Sequence, residues 1–194
     1  MPYSDKHKLI FIHIPKNAGT AITNALEMND IGHHSWKYYK NKYPEKWNTY
    51  TKIAVIRNPW DRVVSNYAYA RMEESHWHSV SGKTRYSKHP DLELLKDKSF
   101  EECIYILKNN PSSLKHQGWS LQKDYITDDN HIVIDIVILQ EDINTVINRL
   151  TNVNVSKINT SKRDDYKTYY NQDLIETVGE IYKEDIKLFN FKYE

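Results

Sequence analysis

The sequence predicts an α/β fold built on a central parallel sheet, and three observations carry that prediction. Short apolar runs rich in isoleucine occur at 8–13, in "YTKIAVIRNP" and in "HIVIDIVILQ", each with the length of a buried strand. Segments with helical spacing separate these runs, as parallel strands require. No repeat, linker or low-complexity stretch interrupts the 194 residues, so 1–194 reads as a single domain.

Taken in order, the first strand at 8–13 ends in "PKNAGT", and a helix is expected over 19–28. "HHSWKYYKNKYPEKW" is charged, aromatic and partly helical. Pro59 ends the second strand. "PWDRVVSNYAYARMEE" then opens with proline at the first helical position, and Val63, Val64, Tyr67 and Ala68 keep helical spacing. Residues 75–90 read as an irregular surface loop. A helix is expected over 91–109, with Ser99 and Glu102 as a capping box. The third strand, "HIVIDIVILQ", leads into "EDINTVINRL", a helix with acidic residues in its first turn. "TNVNVSKINTSKRDDY" is a polar loop, and "NQDLIETVGEIYKEDIKLFNF" a closing amphipathic helix.

Composition narrows the function. A net charge of +1 excludes a polybasic nucleic-acid binder, so any anion site is local. Cys103 is the only cysteine, which excludes an intramolecular disulfide and a cysteine-rich zinc site; in "FEECIYIL" it reads as a small core hydrophobe. The apolar run near the N-terminus is too short for a signal peptide, and no stretch approaches the ~20 residues of a membrane helix. The expectation is a cytoplasmic protein without a membrane span. The 15 tyrosines and 5 tryptophans serve either the core or a stacking surface, and composition does not choose between them.

The chemistry gathers at two strand ends. A strand that runs through a glycine-containing turn into a helix makes an anion cradle, because the helix start presents N–H groups and partial positive charge. Lys16 adds a point charge, Gly19 permits close approach, and Thr20 adds a hydroxyl. This is not a Walker A loop, since lysine precedes the glycine by three residues. An ordinary strand-to-helix turn with a surface lysine is the other reading of the stretch alone. Arg57 ends the second strand, and Ser65 lies about two turns into the next helix. Ligands of open α/β sheets bind beyond the carboxyl ends of strands, so Lys16 and Arg57 are placed to converge. Asp61 and Arg62 read as structural pairs or caps.

"FIHIPKNAGTAI" resembles the 5′-phosphosulfate-binding loop of the sulfotransferases, and "VIRNPWDRVVSNY" their 3′-phosphate-binding segment. The similarity is to the carbohydrate-type branch with the heparan sulfate 2-O- and 6-O-sulfotransferases and bacterial relatives. "WSLQKDYI", "VILQEDINTVINRL", "INTSKRDDYKTYY" and "YKEDIKLFNF" extend it, whereas 71–115 shows little match. The resemblance implies a P-loop-like three-layer fold, 3′-phosphoadenosine 5′-phosphosulfate as donor, no metal, and sulfuryl transfer to a hydroxyl or amine. It implies that Lys16 and the backbone of Asn17, Ala18, Gly19, Thr20 and Ala21 hold the phosphosulfate. Arg57 and Ser65 would hold the 3′-phosphate; Ser161, Lys162 or Arg163 would close over it, or form a solvated basic loop.

Transfer to a hydroxyl needs a general base. "GHHSW" supplies His33 and His34, and the family's histidine-x-x-tryptophan pattern favours His33, with His34 second. Both also read as ordinary surface or hydrogen-bonded histidines, and some related enzymes use glutamate instead. His76 and His78 are two apart without an acidic or cysteine partner, and "TDDNH" reads as a turn rather than a calcium loop. The acceptor is expected to be a carbohydrate or small molecule. Trp36, Tyr38, Tyr39, Arg71, Trp77, Lys83, Arg85 and Lys88 would bind it by stacking and charge, or form ordinary amphipathic surface. A nucleotide-dependent phosphoryl-transfer enzyme with a variant loop and a non-catalytic nucleotide-binding protein are the competing functions.

Overall fold

The computed structural model describes residues 2–29, 32–72, 89–155 and 163–194, together with the backbone of two short strands between 72 and 89. In chain order the elements are β1 (Tyr3–Ser4), β2 (Leu9–Ile12), α1 (Gly19–Ala25), α2 (Trp36–Lys42), α3 (Pro44–Thr49), β3 (Thr51–Ile56) and α4 (Pro59–Ala70). There follow β4 (Ser79–Val80), β5 (Lys83–Thr84), α5 (Leu92–Leu95), α6 (Phe100–Asn109), β6 (Thr127–Asp128), β7 (His131–Ile132) and β8 (Ile136–Leu139). The chain closes with α7 (Ile143–Thr151), α8 (Gln172–Ile181) and α9 (Lys183–Phe189). These form two compact units, one of Met1–Arg57 and Ser120–Thr160, the other of Asn58–Trp119 and Ser161–Glu194.

The fold is mixed α/β, with a central sheet flanked by helices. Its order is β1-β2-β3-β8. β2, β3 and β8 run parallel, and β1 adds an antiparallel edge that the sequence pattern does not announce. Register explains the continuous apolar runs. Phe11 pairs with Ile53 and Ile53 with Ile136, so Leu9, Phe11, Ile53, Val55 and Ile138 share one face. That face packs on Ile22 of α1, on Leu26 just after it, and on Ile143 and Ile147 of α7. Ile10, Ile12, Ala54 and Ile56 face the other way and are buried as well, which is why no polar alternation appears.

Three predicted elements are divided. The third strand splits into β7 and β8 because Asp135 interrupts it. The Asp135 carboxylate accepts from the Lys52 backbone N–H at 2.7 Å and pairs with Lys52 Nζ at 2.8 Å. β7 pairs instead with β6 through a two-residue turn, Asp129 and Asn130, both at positive φ (44° and 64°). This is the geometry of a type I′ hairpin, so "TDDNH" is a turn, as read. The helix expected over 91–109 breaks before Ser99. The Ser99 capping box is formed, and its N-cap must be extended (φ −66°, ψ 165°), so no helix runs through it. The closing helix breaks at Tyr182, which is 1% exposed and donates its hydroxyl to the Trp119 carbonyl at 2.9 Å.

In the second unit α4 begins with Pro59, and Asn58 Oδ1 accepts from the Trp60 N–H at 3.1 Å. Cys103 is fully buried in α6, as the sequence implies, and burial pushes its thiol up to about 12. Asp91, also buried, accepts from the backbone N–H groups of Lys115 and His116 and from Trp119 Nε1. A buried carboxylate with three donors is a structural anchor for this segment.

Candidate functional site

β2 and β3 are adjacent parallel strands in register, Ile12 beside Ala54, so their carboxyl ends lie side by side. Beyond β2 the backbone takes left-handed conformations at Lys16 (φ 69°) and Ala18 (φ 58°), and α1 starts at Gly19. Ala18 offers no side-chain cap to the helix start. Gly19 has a definite reason: a Cβ there would lie 1.9 Å from His13 Nε2 and 2.0 Å from His13 Cδ2. The close approach that requires glycine is that of the His13 imidazole.

Beyond β3 comes Arg57. Its guanidinium Nη1 donates to the Lys16 carbonyl at 3.0 Å, so the two cationic residues singled out at the strand ends belong to one cluster. Gln122 completes it. Gln122 Oε1 accepts from Asn17 Nδ2 at 2.7 Å and from the Arg57 backbone N–H at 2.9 Å. Its Nε2 donates to the Arg57 carbonyl at 2.9 Å. Asn17 Nδ2 also donates to the Val55 carbonyl at 2.7 Å, and Asn17 and Gln122 are both buried.

The two histidines differ. His33 Nδ1 lies 3.1 Å from the His13 carbonyl oxygen. A carbonyl only accepts, so this contact requires the proton on Nδ1; in the neutral ring the lone pair is then on Nε2. The His33 ring meets the His13 ring edge to face at 4.3 Å. His34 instead lies flat on Tyr38, with ring centroids 4.0 Å apart and planes 12° apart. Gly32, at φ 90°, turns the chain into this pair, and Trp36 Nε1 fixes the far side on the Thr127 carbonyl at 2.9 Å.

The structure treats the other candidates differently. Thr20 is half-buried, and Ala21 is buried in α1 with its N–H on the Ala18 carbonyl at 3.0 Å. Ser65 is buried on α4, in the second unit. Arg163 pairs with Asp61, within the same unit, and Asp61 is thereby the structural partner the sequence suggested. Ser161 and Lys162 lie outside the described residues, as do His76, Trp77, His78, Arg85 and Lys88. Arg71 is engaged by the Tyr67 hydroxyl at 2.6 Å and by the Lys96 carbonyl. Trp36 and Tyr39 are buried, so they belong to the core rather than to a stacking surface; Tyr38 remains half-exposed.

Sequence reasoning missed His13 and the side chains of Asn17 and Gln122 as parts of this cluster. The available signal was a polar residue directly after each apolar strand, and a glutamine three residues before Tyr125. Among the described residues no group of three or more His, Cys, Asp and Glu side chains could hold a metal ion. No described helix is long and apolar enough to cross a membrane. A family model described as "Sulfotransferase family" matches residues 1–192. No curated protein matches the chain.

Proposed function

The chain belongs to the sulfotransferase family and is a sulfotransferase; we propose that its donor is 3′-phosphoadenosine 5′-phosphosulfate and its acceptor a hydroxyl or amine of a carbohydrate or small molecule. One observation carries the donor assignment: Arg57 Nη1 on the Lys16 carbonyl, at 3.0 Å, unites the two segments read as anion sites. A cluster supplying two cations, Lys16 and Arg57, fits a ligand with two phosphate-type groups.

Bound donor would supply an activated sulfuryl group, whose bond to the 5′-phosphate oxygen breaks as the acceptor oxygen or nitrogen bonds to sulfur. Lys16 and the turn from Asn17 to Ala21 counter the charge that develops on that phosphate oxygen. Arg57 provides a fork for the 3′-phosphate. His33 takes the acceptor's proton on Nε2. The Nδ1 contact to the His13 carbonyl supports His33 over His34, because it holds the tautomer a base needs.

The test is an assay with the sulfated nucleotide and a panel of sugar and small hydroxyl acceptors, without magnesium. Acceptor-dependent release of 3′-phosphoadenosine 5′-phosphate is the expected result. Magnesium-dependent consumption of ATP, with no such release, would replace this reading by phosphoryl transfer.

A further inference from the structure

We infer that Gln122 is a positioning residue for the donor site: it locks the turn after β2 to the end of β3 and so sets the spacing of Lys16 and Arg57. The inference rests on the donor reading above. Its side-chain amide satisfies three polar groups at once, the Asn17 amide and both backbone groups of Arg57. An amide is the group this position needs. Oε1 must accept twice, while Nε2 must donate to a carbonyl, and neither a carboxylate nor an apolar side chain does both.

The two ends of the clamp differ in what they fix. Toward Asn17 it holds the turn whose backbone is left-handed at Lys16 and Ala18, conformations that non-glycine residues keep only when their surroundings enforce them. Asn17 Nδ2 shares itself between Gln122 Oε1 and the Val55 carbonyl, both at 2.7 Å, which ties that turn to β3 as well. Toward Arg57 the clamp grips the backbone, leaving the guanidinium to reach the Lys16 carbonyl at 3.0 Å. Asn17, Gln122 and Arg57 form a ring of contacts that closes through the Lys16 carbonyl, where the two segments meet. Gln122 itself is 0% exposed, so the amide acts through Asn17 and Arg57 rather than on a ligand.

The experiment is a double-substitution cycle read by calorimetric titration with 3′-phosphoadenosine 5′-phosphate. The proteins are the wild type, Gln122→Met, Asn17→Ala and the pair combined, each checked by circular dichroism and thermal melting. Expected is a fall in nucleotide affinity of about tenfold or more for each single variant. The double variant should lose no more than the worse single, because both substitutions break one clamp. A purely structural weakening would lower the melting temperature without this coupling in affinity. Gln122→Glu covers the case in which the methionine variant does not fold. It keeps the accepting oxygen, loses the donor to the Arg57 carbonyl, and is expected to lose affinity as well. A folded Gln122→Met or Gln122→Glu that binds within twofold of wild type, or losses that simply add, would overturn the inference. Failure of the wild type itself to bind the nucleotide would overturn the donor reading, and this inference with it.

Discussion

His33 Nδ1 lies 3.1 Å from the carbonyl oxygen of His13, three residues before Lys16 on the same strand exit. The contact joins the proposed base to the proposed anion turn and places a proton on His33 Nδ1. His33→Ala is therefore expected to cut turnover by ~10²–10⁴-fold, the range typical of a general base, while nucleotide binding changes little. His34→Ala should cost far less, since that ring is spent on Tyr38. Steady-state rates beside a nucleotide titration of each variant check this, and undiminished turnover in His33→Ala would remove the assignment.

Gly19→Ala is expected to harm both stability and rate. The new methyl would fall 1.9 Å from His13 Nε2, so the buried imidazole must move. Overpacking of this kind costs about 1–3 kcal/mol. His33 rests against the same ring, so turnover should fall along with the melting temperature. A melting curve and an initial rate on one preparation suffice, and a variant unchanged in both would refute the packing account.

Acid stability should depend on Glu102. Its Lys98 partner first, and the Ser99 backbone N–H second, hold its carboxyl down at about 2, against an ordinary value of 4.5. A folded-state value below the unfolded one contributes stability above about 4.5 that is lost as the pH falls toward 2. Glu102→Gln should accordingly melt lower than wild type at pH 6, with the gap closing near pH 2. A gap that stays constant across this range would contradict the assignment.

Cys103 should be inert in the folded chain. Burial, first, and the Asp91 carboxylate, second, push its thiol up to about 12, so thiolate is scarce at neutral pH. Alkylation by iodoacetamide at pH 8 is expected to be slow in native buffer and fast in denaturant. Equal rates in the two conditions would mean that the thiol is exposed.

Much of this was legible in the sequence because strand ends are. Isoleucine-rich runs mark β2 and β3, Pro59 marks the start of α4, and Lys16 and Arg57 follow the two strands directly. Less legible were features set by tertiary contacts. Asp135 splits an apolar run only because Lys52 is opposite to receive it. Gln122 lies 65 residues from Arg57 in sequence, so no local pattern announces their bonds. Trp36 and Tyr39 read equally well as stacking surface or core until burial decided for core. Gly19 was read as room for an anion, whereas the ring of His13 is what occupies the space above it.

The most direct test of the central claim is a calorimetric titration of the full chain with 3′-phosphoadenosine 5′-phosphate, against AMP and ATP, without magnesium. The account predicts tight binding that requires the 3′-phosphate and is lost in Arg57→Ala. Preference for ATP, or binding indifferent to both the 3′-phosphate and Arg57, would contradict it.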